Sequence, residues 1–177
     1  MATRKAMLWL AGTTAILSLT TGLTGASAQV SAVTANQRLA DLSAADNPTD
    51  GARGLLVAVS PGDGSTRFVL VLTGLDPTAA GTTFGAHVHR GPCVAGNAAA
   101  AGPHYNTGDG GVPSPENEVW LDFIVRRGGV ATSRTVAPFE IGPDRAQSVV
   151  IHALPTQPGT GVAGARMACL PVDFSLM

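Results

Sequence analysis

The sequence predicts an all-β protein, an antiparallel β-sandwich or barrel with long functional loops. Three observations carry this. Gly (22) and Pro (12) together make up about a fifth of the 177 residues, while charged residues are 13% and aromatics 5%, a balance that favours short strands and turns over helices. Short runs rich in Val, Leu, Phe and Thr recur between Gly/Pro/Asp clusters, the pattern of strands bounded by turns. The chain is long enough for one domain with a real core and too apolar for wholesale disorder. A formal charge of −1 excludes nucleic-acid binding driven by bulk positive charge, and there is no Gly-X-Y period or internal repeat.

Residues 1–28 read as a secretory signal. Arg4 and Lys5 form the basic start, Met7–Leu23 the diluted apolar stretch, and Ala26-Ser27-Ala28 a small-x-small site with cleavage expected after Ala28. The alternative, a retained membrane anchor, is disfavoured because small and polar residues break the apolar run. No membrane association is expected after cleavage. Losing Arg4 and Lys5 takes the 11 basic residues to nine, all Arg, against 12 acids, a balance of −3. Export implies an oxidising compartment, and the even pair Cys93 and Cys169 permits one disulfide there.

The remaining chain divides into a loose N-terminal arm, 29–50, with one strand near Val30–Val33, and a sandwich domain, 51–177. Leu55–Val59 and Thr66–Leu75 flank the turn Ser60-Pro61-Gly62-Asp63-Gly64 and make a hairpin. Thr82–His89 is the next strand. Residues 90–117 form a long Gly/Pro/Ala-rich loop, which in a compact domain is usually functional or disordered. Val119–Arg126, Ala131–Val136, Ser148–His152 and Arg166–Val172 are further strands, with Leu154–Ala165 a second Gly/Pro loop.

The histidines carry the chemistry. His87-Val88-His89 puts two imidazoles on one face of a strand, within reach of one ion, with Val88 turned into the core. Taken alone the pair also fits two ordinary polar strand residues. His104 lies in Ala101-Gly102-Pro103-His104-Tyr105-Asn106, where Gly and Pro fix the backbone. His152 ends the apolar strand Val149-Val150-Ile151-His152. These four are the only histidines in the chain, and an all-imidazole set suits copper or zinc. Arg166 precedes Cys169 by three residues. If the disulfide forms, it brings this guanidinium close to the 90–117 loop, where it would attract a small anion.

Taken together, Gly85-Ala86-His87-Val88-His89, Cys93, Ala101-Gly102-Pro103-His104-Tyr105-Asn106, Val149-Val150-Ile151-His152 and Gly164-Ala165-Arg166-Met167-Ala168-Cys169 resemble the copper/zinc superoxide dismutase family, over about Gly54 to Cys169. The resemblance implies an eight-stranded Greek-key β-sandwich and a secreted enzyme that converts superoxide, its small anionic substrate, to O2 and H2O2. His87, His89 and His152 match the copper-only ligands, and His104 matches the imidazole that bridges copper and zinc. Arg166 matches the arginine that docks superoxide, which makes His104 and Arg166 the expected catalytic pair. Cys93 and Cys169 match the intrasubunit disulfide.

The departures matter equally. No His lies between His104 and His152, so the family's zinc ligands are missing, and the first carboxylates after His104 are those of Asp109, Glu116, Glu118 and Asp122. The 152–166 segment is also short. Both features resemble the copper-only branch, and Asn117–Phe123 resembles the secreted dismutase-like proteins of high-GC Gram-positive bacteria. Copper without zinc is therefore the expected cofactor. The outer nitrogen of His104 would then need another partner, and Glu118, with Asp122 behind it, is the expected one. The competing reading is an exported protein that binds or sequesters copper on the same fold with little turnover.

Overall fold

A computed structural model describes residues 29–108, 111–142 and 146–177. The expected signal segment 1–28 and Asp109 lie outside these residues. Ten strands follow in chain order: β1 (Ser31–Arg38), β2 (Ala40–Asp41), β3 (Arg53–Ser60), β4 (Thr66–Thr73), β5 (Thr83–Phe84), β6 (Ala86–His89), β7 (Phe123–Ile124), β8 (Val130–Ala137), β9 (Ser148–His152) and β10 (Arg166–Pro171). The only helical pieces among the described residues are three single 3-10 turns. None is long and apolar enough to cross a membrane.

Two four-stranded antiparallel sheets form a sandwich, in the orders β1-β3-β4-β8 and β2-β10-β9-β6, with β5 paired to β7 at one end. The chain leaves the first sheet after β4, enters the second at β6, returns as β8 and crosses again to β9, which is Greek-key connectivity. The expected all-β sandwich is what forms. In β3 and β4 every second residue is buried, and Leu56, Phe68, Leu70 and Leu72 meet Val88, Val149, Ile151 and Leu170 of the facing sheet in one core. This is the alternation that a sheet wetted on one side requires.

The second sheet differs, and that difference makes the site. All residues of β6 and β9 are buried. Ala86, Val88, Val149 and Ile151 enter the main core, while Val150 and Cys169 join Leu42 and Ala101 in a small separate cluster. The long loop covers this outer face, and the Cys93–Cys169 disulfide pins it there with Cα atoms 5.6 Å apart. A disulfide of this kind suits an oxidising compartment, the cell exterior or a periplasm.

Three expectations need correction. Residues 29–50 are not a loose arm. β1 pairs with β3 over its full eight residues, from Ser31↔Ser60 to Arg38↔Arg53, and β2 pairs with β10. Buried Val33, Ala35 and Leu39 are the inward side of an edge strand, and their small, Ala-rich neighbours hid the alternation. The strand expected over Thr82–His89 is interrupted at Gly85, whose N–H and C=O bond to Leu154 and His152. The strand expected over Val119–Arg126 is regular only at β7. Phe84↔Phe123 and His87↔Trp120 nonetheless share one antiparallel register. The pairing is thus continuous in register and broken where Asp122 takes the Ala86 N–H with its side chain.

Candidate metal centre

His87 and His89 leave β6 on the face opposite Ala86 and Val88, as the period of two requires. His152 is the last residue of the adjacent β9. His104 comes from the long loop, which is stitched to β6 by the His89↔His104 bridge and by Tyr105 N–H donating to the Val88 carbonyl at 2.8 Å. One ligand atom from each of the four histidines lies within 4.8 Å of the other three, and such a group can hold a metal ion. The site joins residues from two adjacent strands and the loop that covers them.

The hydrogen bonds decide which nitrogen each ring offers. His89 Nδ1 donates to the Gly102 carbonyl (3.1 Å) and His152 Nδ1 to the Gly164 carbonyl (3.2 Å). Their Nε2 atoms are left facing each other at 3.3 Å, an approach that an ion between them relieves. His104 Nδ1 donates to Glu118 Oε2 at 2.9 Å, which frees its Nε2. His87 is reversed: its Nε2 lies 2.7 Å from Thr156 Oγ1, and its buried Nδ1 has no hydrogen-bond partner. A buried polar atom without a partner is costly, and a metal ligand has such an atom by design. The donor chemistry therefore fits a transition ion that prefers imidazole.

Electrostatics keep three of the imidazoles, those of His87, His89 and His152, neutral. Burial, reinforced by the neighbouring imidazoles of His104, His152 and His89, holds His87 down to about 2. Burial and His104 hold His89 to about 3, against the opposing effect of the Gly102 carbonyl. Burial holds His152 to about 4, against the Gly164 carbonyl. Neutral imidazole is the form that binds metal.

Glu118 is only 5% exposed. Burial alone would raise its pKa, but hydrogen bonds from His104, Trp120 and Asn106 outweigh it and hold the carboxyl below its ordinary value. Its Oε2 accepts from His104 Nδ1 and from Trp120 Nε1, each at 2.9 Å, and its Oε1 from Asn106 Nδ2 at 3.4 Å. Gly161, in the second loop, closes over this pair. Its φ is +65°, and a Cβ there would sit 3.2 Å from Glu118 Oε2.

Asp122 is not behind Glu118. Its carboxylate accepts from Thr156 N–H (2.8 Å), Thr156 O–H (2.6 Å) and Ala86 N–H (3.3 Å), and Oδ1 lies 4.0 Å from His87 Nε2. It supports His87, at the opposite side of the cluster. The two acids are four residues apart on a strand-like segment, and the interruption at Asp122 re-aims the second one.

Arg166 donates Nη1–H to the Ala98 carbonyl at 2.7 Å, within the 3-10 turn Ala98–Ala101 of the disulfide-pinned loop. It lines an open pocket of about 240 Å3 together with His104, His152 and the 160–164 segment. The guanidinium thus stands at the mouth of the histidine cluster. Arg90, the residue after the H-x-H pair, donates instead to the Asn106 carbonyl at 2.7 Å and braces the loop. Sequence reasoning missed Thr156 and the role of Trp120, together with the carbonyls of Gly102, Gly164 and Ala98. A carbonyl has no sequence signal, and Thr156 sits in an unremarkable Pro-Thr-Gln-Pro stretch.

No family model matches the chain. Among solved structures it is similar to that of the clock protein EA4, with a TM-score of 0.58 and 18% sequence identity, covering 85% of this chain and 96% of that one. At this identity the likeness concerns the fold alone, and it agrees with the β-sandwich described above.

Proposed function

We propose that the protein is an exported, copper-dependent superoxide dismutase that works without a zinc site. The observation that carries this reading is the convergence of four imidazoles, each with one nitrogen free, two of which, His104 and His152, line an open pocket together with Arg166. His87 through Nδ1, and His89, His104 and His152 through Nε2, would hold the ion. Bound copper supplies a one-electron couple, so that one superoxide is oxidised to O2 and a second, with two protons, is reduced to H2O2.

The chain's own groups supply the rest. Arg166 attracts and orients a small anion beside the ligands, and its bond to Ala98 fixes the guanidinium in place. The side chain of His104 is 19% exposed and, unlike His87 and His89, it lines the pocket. Its Nε2, whenever it is released from the ion, is the atom placed to carry a proton to an oxygen anion in the pocket, while Glu118 holds the Nδ1 proton. That Nδ1 is also the atom that a second metal would need. Its engagement by Glu118, itself saturated by Trp120 and Asn106, supports the zinc-free reading.

The test is superoxide decay by pulse radiolysis on mature protein loaded with copper alone. Fast catalytic decay, lost in His152→Ala, is the expected result. Stoichiometric copper binding without catalysis would overturn the enzyme reading in favour of copper sequestration.

A further inference from the structure

Thr156 has no place in the reading so far, yet its hydroxyl makes two of the shortest hydrogen bonds around the cluster, 2.7 Å to His87 Nε2 and 2.6 Å to Asp122 Oδ1. A hydroxyl has one proton to give. A carboxylate oxygen 2.6 Å away can only accept it, since two oxygens that close without a proton between them repel. The Thr156 proton therefore points to Asp122, and the hydroxyl's lone pair must accept from His87. That requires the proton of His87 on Nε2, and it strips Nδ1 bare. Nδ1 is the buried nitrogen with no partner.

We propose that Thr156 is a positioning residue, oriented by Asp122, that sets His87 in the Nε2–H tautomer and so presents Nδ1 to the ion. The direction of the whole chain follows from the carboxylate: Asp122 orients Thr156, and Thr156 orients His87. Asp122 holds Thr156 at two points, through the backbone N–H as well as the hydroxyl, so the threonine is fixed before any ion arrives. Gly85 makes room for it. A Cβ at Gly85 would lie 3.0 Å from Thr156 Oγ1, 2.9 Å from the Leu154 carbonyl and 2.7 Å from Ala163 Cβ, so only glycine lets the second loop come this close to β6. The other three ligands need no such device, because a backbone carbonyl or Glu118 already takes the proton on Nδ1.

The proposal rests on the reading of the four imidazoles as a copper site, and the experiment separates the two. Side-chain 15N shifts of the metal-free mature protein report the His87 tautomer directly, and Cu(II) competition reports affinity. The wild type is expected to show His87 wholly as Nε2–H. Thr156→Val keeps the shape and removes the hydroxyl. It should mix the two tautomers of His87 and weaken Cu(II) binding about 10- to 100-fold, the usual cost of losing a partner that orients a ligand. Thr156→Ser should restore both, and Gly85→Ala should weaken binding in the same direction by displacing the loop. A Thr156→Val protein with His87 still wholly Nε2–H and Cu(II) affinity within twofold of wild type would overturn the proposal. If the wild type shows the tautomer and binds no Cu(II), the copper reading falls while the tautomer comparison still decides the role of Thr156.

Discussion

The disulfide offers the most quantitative test, because it acts on stability and on the site together. Replacing Cys93 and Cys169 with Ala removes a cross-link that spans 76 positions. The chain-entropy model gives about 4.5 kcal/mol for a loop of that length, and measured losses run at about 2–5 kcal/mol. Cys169 is fully buried in the small cluster with Leu42, Ala101 and Val150, so its truncation adds a packing loss of the same sign. With a urea slope of about 2 kcal/mol/M for a domain this size, the midpoint should fall by about 1–2.5 M. The assay is urea unfolding of the metal-free protein followed by far-UV circular dichroism, wild type against double variant. In the copper-loaded variant Arg166 should also lose order, because its acceptor Ala98 belongs to the released loop. A midpoint shift below about 0.5 M would refute the reasoning, since the loop would then be held by its other contacts alone.

Further outcomes follow from the same geometry. Arg166→Ala should lower the superoxide rate and flatten its dependence on ionic strength, because steering of an anion is screened by salt; an unchanged salt profile would count against this residue. Glu118→Ala strands the buried donors of His104 and Trp120. It should cost about 2–4 kcal/mol in denaturant unfolding and change the pH profile of turnover, and the proton-positioning role fails if turnover is unchanged across pH. The metal-free protein should lose stability as pH falls from about 6.5 toward 4. His87, His89 and His152 are held below their ordinary value of 6.5, so in this window the unfolded chain binds protons that the fold refuses. The linkage slope has an upper bound of about 4 kcal/mol per pH unit for three such groups, and no linkage from them remains above their unfolded value. His152→Ala should show a shallower slope in urea midpoints measured against pH, and equal slopes would contradict the assignment. Finally, Trp120 is the one Trp outside residues 1–28 and bonds to Glu118 beside the cluster. Its fluorescence should be quenched stoichiometrically by Cu(II) in wild type and much less in His87→Ala.

Much of this was legible in the sequence. Short apolar, β-rich runs mark β3, β4 and β9, and the turn residues mark the β3–β4 hairpin. Four histidines and two cysteines in a chain with no others restrict the site to few combinations, and their order carries the family resemblance. Local residue type determines these features, since a strand's faces and a ligand's donor atoms are fixed within a few residues. Only the start of β1 was legible, as the strand near Val30–Val33, because Ala, Thr and Asn carry a weak alternation beyond it, and its pairing with β3 supplies what the pattern lacks.

Other features were settled only when distant segments met. Glu118 and Asp122 read as one acidic pair, yet the break at Asp122 sends one to His104 and the other, through Thr156, to His87. The tautomer of each imidazole depends on a partner supplied by the covering loops: a carbonyl for His89 and His152, the Glu118 carboxylate for His104 and a hydroxyl for His87. Sequence determined which atoms could bind a metal ion, because that is a property of the side chain. Tertiary structure decided which nitrogen each ring presents and where Arg166 stands, because a proton's position and a guanidinium's direction depend on partners that only the fold brings within hydrogen-bonding distance.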